Sequence, residues 1–203
     1  HTAPGSALAT WAAMATGLRE LHDKRRAGER LAALLPSLGE AAGAERLLPP
    51  AALPRVIHSV AEALGTRREL ADLGFPHIVF KQALSASGRG QLRLLDEPEP
   101  TTAQRGWLER HAPGGLRVEP WLDRRLDLSL HFDAGPLGLT HRGLVRFEAD
   151  RTGRFVGATV GSPTAGLDSD LQRFLTGDGH DGRWLDRLGR VLAQGLGAEV
   201  GAS

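Results

Sequence analysis

The sequence predicts an α+β fold of two lobes, and three patterns along its 203 residues carry that expectation. Apolar residues at helical spacing recur in the first third and again in the closing stretch. Between His77 and Leu94 a β-prone run, a small-residue loop and a second alternating run read as strand, loop, strand. From Leu126 a strictly alternating run opens a series of strand candidates separated by turns. Helices and antiparallel strands that cluster in separate blocks indicate α+β architecture rather than a parallel sheet.

The elements follow in order. Leu8, Trp11, Met14, Leu18 and Leu21 share one face of a first amphipathic helix. Asp23 can cap a second, in which Ala27, Leu31, Leu34 and Leu35 align and Pro36 is the expected stop. Pro49, Pro50 and Pro54 mark a loop. Ser59-Val60-Ala61-Glu62 has the form of a capping box, opening a helix that Gly74 and Pro76 end. After the His77–Leu94 hairpin, Glu97-Pro98-Glu99-Pro100 reads as linker, and Thr102 caps a short helix reaching His111. Pro113-Gly114-Gly115 turns the chain into the strand Leu116–Glu119. Leu126, Leu128, Leu130 and Phe132 then alternate with Asp127, Ser129, His131 and Asp133, as in a sheet with one wet face. Strands at Leu144–Glu148 and Arg154–Val160, a helical piece near Leu171–Leu175 and an amphipathic helix from Trp184 to Leu196 complete the chain. The organisation this implies is a helical lead-in over 1–45, a hairpin lobe over 46–118 and a second lobe over 119–203.

Composition narrows the function. The net charge of +1 implies no nucleic-acid partner, and no apolar run is long enough to span a membrane. A cytoplasmic protein is therefore expected, with the oligomeric state open. There is no cysteine, which excludes disulfides, thiol nucleophiles and Cys-ligated metal. No Gly-x-Ser-x-Gly elbow and no zinc-type His spacing occurs. Lys24 and Lys81 are the only lysines among 25 basic residues, and asparagine and tyrosine are absent, the signature of a GC-rich coding sequence. Under such a bias, lysine persists where a compact ammonium does what a planar guanidinium cannot.

Lys81 ends the first hairpin strand, and the loop Ser85-Ala86-Ser87-Gly88-Arg89-Gly90 follows it. Glycines let backbone N–H groups approach an anion, and the lysine adds a point charge suited to phosphate. A Walker loop has its lysine after the glycines and opens a helix, and a kinase loop has its lysine on the following strand. Neither order is found here. Lysine first and glycine loop second resembles the ATP-grasp superfamily of carboxylate–amine ligases. Val118-Glu119-Pro120-Trp121-Leu122 followed by Asp127 extends the resemblance, and so does His22-Asp23-Lys24 upstream. It covers the chain from about Lys24 to the end.

The resemblance implies two α+β lobes with an ATP cleft between them. Lys24 and Lys81 would neutralise phosphate, while Ser85, Ser87, Gly88, Arg89 and Gly90 would form the loop over it. Glu119, Pro120, Trp121 and Leu122 would edge the adenine, and Asp127 would meet the ribose. Arg89 either holds the γ-phosphate or is solvated. Lys81, on a strand, is expected to be fixed more firmly than Lys24. Arg142 and Arg146 are weaker candidates for a substrate carboxylate or phosphate, and His131 and His141 read as structural. By the same resemblance, ATP would convert a carboxylate to an acylphosphate that an amine then attacks. No residue is an evident general base, which suits chemistry driven by positioning and electrostatics. Mg²⁺ in this family is held by a late carboxylate and a Glu-x-Asn pair, and neither is found. Asp168, Asp170, Asp178 and Asp181 do not replace them. The chain starts at His1 rather than methionine and is expected to be a fragment lacking the C-terminal metal-binding strands. A nucleotide-binding regulatory or scaffold module is the alternative to a ligase.

Overall fold

A computed structural model describes residues 22–42, 47–85, 89–95, 99–135, 138–150, 154–159, 161–162, 164–176 and 184–201. The expected first helix, the tip of the hairpin loop and the linker at 96–98 lie outside these residues. The fold is α+β, with two antiparallel sheets. Two compact units divide the chain: a hairpin unit of Leu18–Ala33 with Leu48–Arg124, and a second unit of His1–Gly17, Leu34–Leu47 and Arg125–Ser203.

The hairpin unit is a four-stranded sheet in the order β1-β4-β2-β3, made of β1 (Arg55–Ile57), β2 (Ile78–Gln82), β3 (Gln91–Leu94) and β4 (Leu116–Pro120). All pairings are antiparallel. The hairpin expected from sequence is β2–β3, with Ile78 opposite Leu94 and Lys81 opposite Gln91. Strand alternation sorts its side chains. Ile78, Phe80, Leu116 and Val118 enter a core with Ile57 and Leu94, and none of the six is more than 2% exposed. Ala63 and Leu70 of the helix Val60–Asp72 and Leu108 of the helix Thr102–His111 complete it. Lys81, Arg117 and Glu119 have the opposite parity and lie on the other face.

Local sequence explains the ends of these helices. Ser59 Oγ accepts from the Glu62 amide at 3.1 Å, and the Glu62 carboxylate reaches back to the His58 amide at 2.8 Å. Ser59→Ala is therefore expected to cost about 1 kcal/mol, read as a lower denaturant midpoint with an unchanged slope. The Thr102–His111 helix is capped by Thr101, one residue earlier than the sequence suggested. Thr101 and Gln104 form a reciprocal box, which Thr102 cannot do with Arg105.

Pro36 does not stop its helix. Helix α1 runs from Ala27 to Ala42 with Pro36 inside it, and Asp23 instead caps the 3-10 turn Lys24–Arg26 that leads in. Proline here removes one backbone donor, yet the following turn buries Leu38, which is 3% exposed. Just before it, Leu34 lies where a Cβ on Gly195 would be, with Leu34 Cδ2 2.1 Å from that position. Packing of this kind outweighs the local preference.

In the second unit, β5 (Asp127–Gly135), β6 (Gly138–Ala149) and β7 (Phe155–Thr159) form a meander in that order. β6 is longer than the expected Leu144–Glu148, and a bulge at Arg142 lets it continue past the register shift opposite His131 and Phe132. Leu126 and Leu128 pack with Leu175 and Trp184, from helices spanning Ser169–Thr176 and Trp184–Gly201. Both helices occur where periodicity placed them. No helix among the described residues is long and apolar enough to cross a membrane.

Candidate anion site on the hairpin unit

Strand register builds the site. Lys81 on β2 stands directly opposite Arg117 on β4, and Val79 stands opposite Glu119. Two cations facing each other across a ladder are unfavourable unless an anion lies between them. Glu119 supplies one carboxylate: Oε1 pairs with Lys81 Nζ and Oε2 with an Arg117 amino group. The three side chains are only 14–24% exposed. Arg117 Nε is buried without a partner among the described residues.

Lys24 brings a third cation. Its amide donates to the Ala83 carbonyl at 3.0 Å, and its ammonium donates to the Ser85 carbonyl and to Ser85 Oγ at 3.1 Å. The 3-10 turn is thereby tied to the start of the hairpin loop at both main chain and side chain. Lys24 is thus anchored by tertiary hydrogen bonds that its place in a turn does not display in the sequence. Burial, reinforced by the charges of Lys81 and Arg117, holds the Lys24 ammonium below the ordinary lysine value of 10.5 against the opposing pull of Glu119 and Asp23. The sign follows from linkage. Between the lowered value and 10.5 the unfolded chain binds more protons, so stability rises with pH through that window. Below it the charged Lys24 costs the fold, a cost an added anion would offset.

Asp23 offsets this cluster only in part. Its carboxylate is taken by Arg25, whose Nη2 lies 2.6 Å and Nε 3.0 Å away, and that hydrogen bonding holds the carboxyl below the usual range. Arg25 also donates to the Gly114 carbonyl at 3.1 Å. A cavity of ≈ 660 Å³ opens beside the cluster, lined by His22, Asp23, Lys24, Ala27, Leu84, Ser85 and Arg117. That lies within the roughly 300–1,000 Å³ usual for small-ligand sites.

The other sequence candidates are distributed as follows. Gly90 has φ +61°, a left-handed conformation that favours glycine at the loop's return. Arg89 is exposed, and Ser87 and Gly88 lie outside the described residues. Pro120 is buried at the end of β4, and Leu122 is 43% exposed. Trp121 donates its amide to the His77 carbonyl at 2.8 Å, and its ring meets Arg93 at 4.6 Å and Arg124 at 5.2 Å. Asp127 opens β5 in the second unit. Arg142 pairs with Asp133 at 2.5 Å, while Arg146 donates to the Ala165 carbonyl at 2.8 Å and to Thr159 at 3.3 Å. These contacts give both arginines structural work within their own unit. Arg117 was not singled out by sequence. Its signal was present in the shared parity of Arg117 and Glu119, but the strand opposite had to be known first.

Among the described residues, no group of three or more His, Asp or Glu could hold a metal ion. Asp168 caps the following helix through the amides of Asp170 and Leu171 and pairs with Arg125, and Asp170 pairs with Arg173.

No family model matches the chain, and no curated protein matches it. Among solved structures, it is similar to the ADP complex of N5-carboxyaminoimidazole ribonucleotide synthetase. The identity is 17% and the TM-score 0.47, over 84% of this chain and 38% of that one.

Proposed function

We propose that the hairpin unit binds the phosphates of ATP, and that the chain is the nucleotide-binding portion of an ATP-dependent carboxylate–amine ligase. The observation that carries the reading is the proximity of Lys24 to Lys81 and Arg117, which share the Glu119 carboxylate, with Lys24 and Arg117 lining a ligand-sized cavity. A surplus of partly desolvated positive charge is what a polyphosphate requires. Glu119 to Leu122 would edge the adenine. In the ligase reaction, a substrate carboxylate oxygen attacks the γ-phosphorus and ADP departs. An amine then attacks the acyl carbon, phosphate leaves, and the amine loses a proton. The residues named here bind and orient the nucleotide, and none supplies that proton transfer. No step is assigned to Mg²⁺, for which the described residues offer no ligand set.

A melting experiment tests the reading. Nucleotide at about ten times its dissociation constant stabilises the native state by about 1.4 kcal/mol, or about 3–6 °C for a chain of this size. ATP and ADP are expected to produce such a shift at millimolar concentration, with little further gain from Mg²⁺. No shift with any nucleotide would remove the assignment.

A further inference from the structure

Lys81 and Glu119 were expected in a nucleotide site, whereas Arg117 was not, and its surroundings are unusual for a purely structural arginine. It faces a lysine directly across the ladder, so two cations are balanced there by the single carboxylate of Glu119. Its ionic partner among the described residues, Glu119, is shared with that lysine. Asp23, which lines the same cavity, is paired with Arg25. Arg117 also lines the cavity wall together with Lys24 and Ser85. Guanidinium and ammonium from separate elements, both at one cavity, form a two-point grip for an extended oxyanion.

We propose that Arg117 and Lys24 grip the far end of a polyphosphate chain, so that the site selects a nucleoside triphosphate over a monophosphate. This rests on the nucleotide reading above and adds the residue that sets phosphate-chain length. Because Glu119 bridges Lys81 and Arg117, the incoming phosphate competes with that carboxylate for Arg117. Triphosphate carries enough charge to win this competition, and monophosphate, with less charge, does not.

The experiment is a titration of ATP, AMP and inorganic tripolyphosphate, without added divalent ion, against wild type, Arg117→Gln, Arg117→Lys and Glu119→Gln. Arg117→Gln should weaken ATP and tripolyphosphate by about tenfold and AMP by less than twofold. Arg117→Lys should recover part of the loss and guards against a folding failure in the glutamine variant. Glu119→Gln removes the competing carboxylate and should tighten tripolyphosphate. An equal loss for ATP and AMP in Arg117→Gln would reduce Arg117 to a positioning residue acting through Glu119, and unchanged ATP affinity would overturn the proposal outright. The nucleotide reading fails separately. Wild type that takes tripolyphosphate in an Arg117-dependent way but no adenine nucleotide keeps the anion grip and loses the nucleoside.

Discussion

Replacing Phe80 by alanine is expected to destabilise the hairpin unit by about 3–5 kcal/mol. Phe80 is completely buried on β2, between Leu92 of β3 and Val118 of β4 in register, and it meets the core to which the helices Val60–Asp72 and Thr102–His111 contribute. Truncation removes a large apolar surface and leaves a cavity that a sheet hydrogen-bonded on both sides cannot collapse to fill. Typical domains have only about 5–15 kcal/mol of net stability, so the loss is a large fraction of the whole. Urea unfolding followed by fluorescence is suited to it, because Trp107 packs against this core and Trp121 follows β4. The midpoint should fall steeply while Phe80→Leu, which keeps most of the volume, falls by less than half as much. A loss under about 1 kcal/mol for Phe80→Ala would mean that β2 is not the centre of this sheet.

How far the sequence revealed this arrangement depends on the range of the interaction involved. The β2–β3 hairpin was legible because its strands are close in the chain and flank a run of small residues. The helices opening at Val60 and at Trp184 were legible from caps and periodicity. Pro36 misled because the local rule is a preference of a few kcal/mol, while Leu34 and Leu38 pack at a distance the sequence does not display. The site followed the same division. Lys81 and Glu119 could be named from motif order, but their ion pair joins residues 38 apart. Arg117 escaped altogether, since its significance lies in standing opposite Lys81, and register between β2 and β4 is set by the core rather than by any motif. The charge on Lys24 was legible only as a rarity of lysine. Its restraint by Ala83 and Ser85 is a tertiary contact spanning about sixty residues of chain.

Lys81→Met should abolish most nucleotide affinity, and Lys81→Arg should reduce it by about tenfold, a loss of about 1.4 kcal/mol. The methionine keeps the length of the side chain and removes its charge, so phosphate loses the ammonium fixed by the sheet, while Glu119 keeps its second partner, Arg117. Phosphate then meets a carboxylate less fully balanced by neighbouring cations, and repulsion adds to the lost attraction. Arginine keeps the charge but is wider and forked, and Lys81 is 24% exposed between Glu119 and the cross-strand Arg117. A second guanidinium opposite Arg117 cannot settle there without displacing one of the two ion pairs. Lys24→Arg is expected to be nearly as damaging, because the Lys24 ammonium is bound to the Ser85 carbonyl and hydroxyl and a planar group would push that segment of the loop away. The free Lys81 variants should lose no more stability than one partly exposed ion pair supplies, since the core formed by Ile78 and Phe80 on the other face of β2 is untouched. Calorimetric titration of ATP into the three variants, with thermal unfolding of each free protein as control, decides the matter. Wild-type affinity in Lys81→Met would mean that the cations of this face serve the sheet alone.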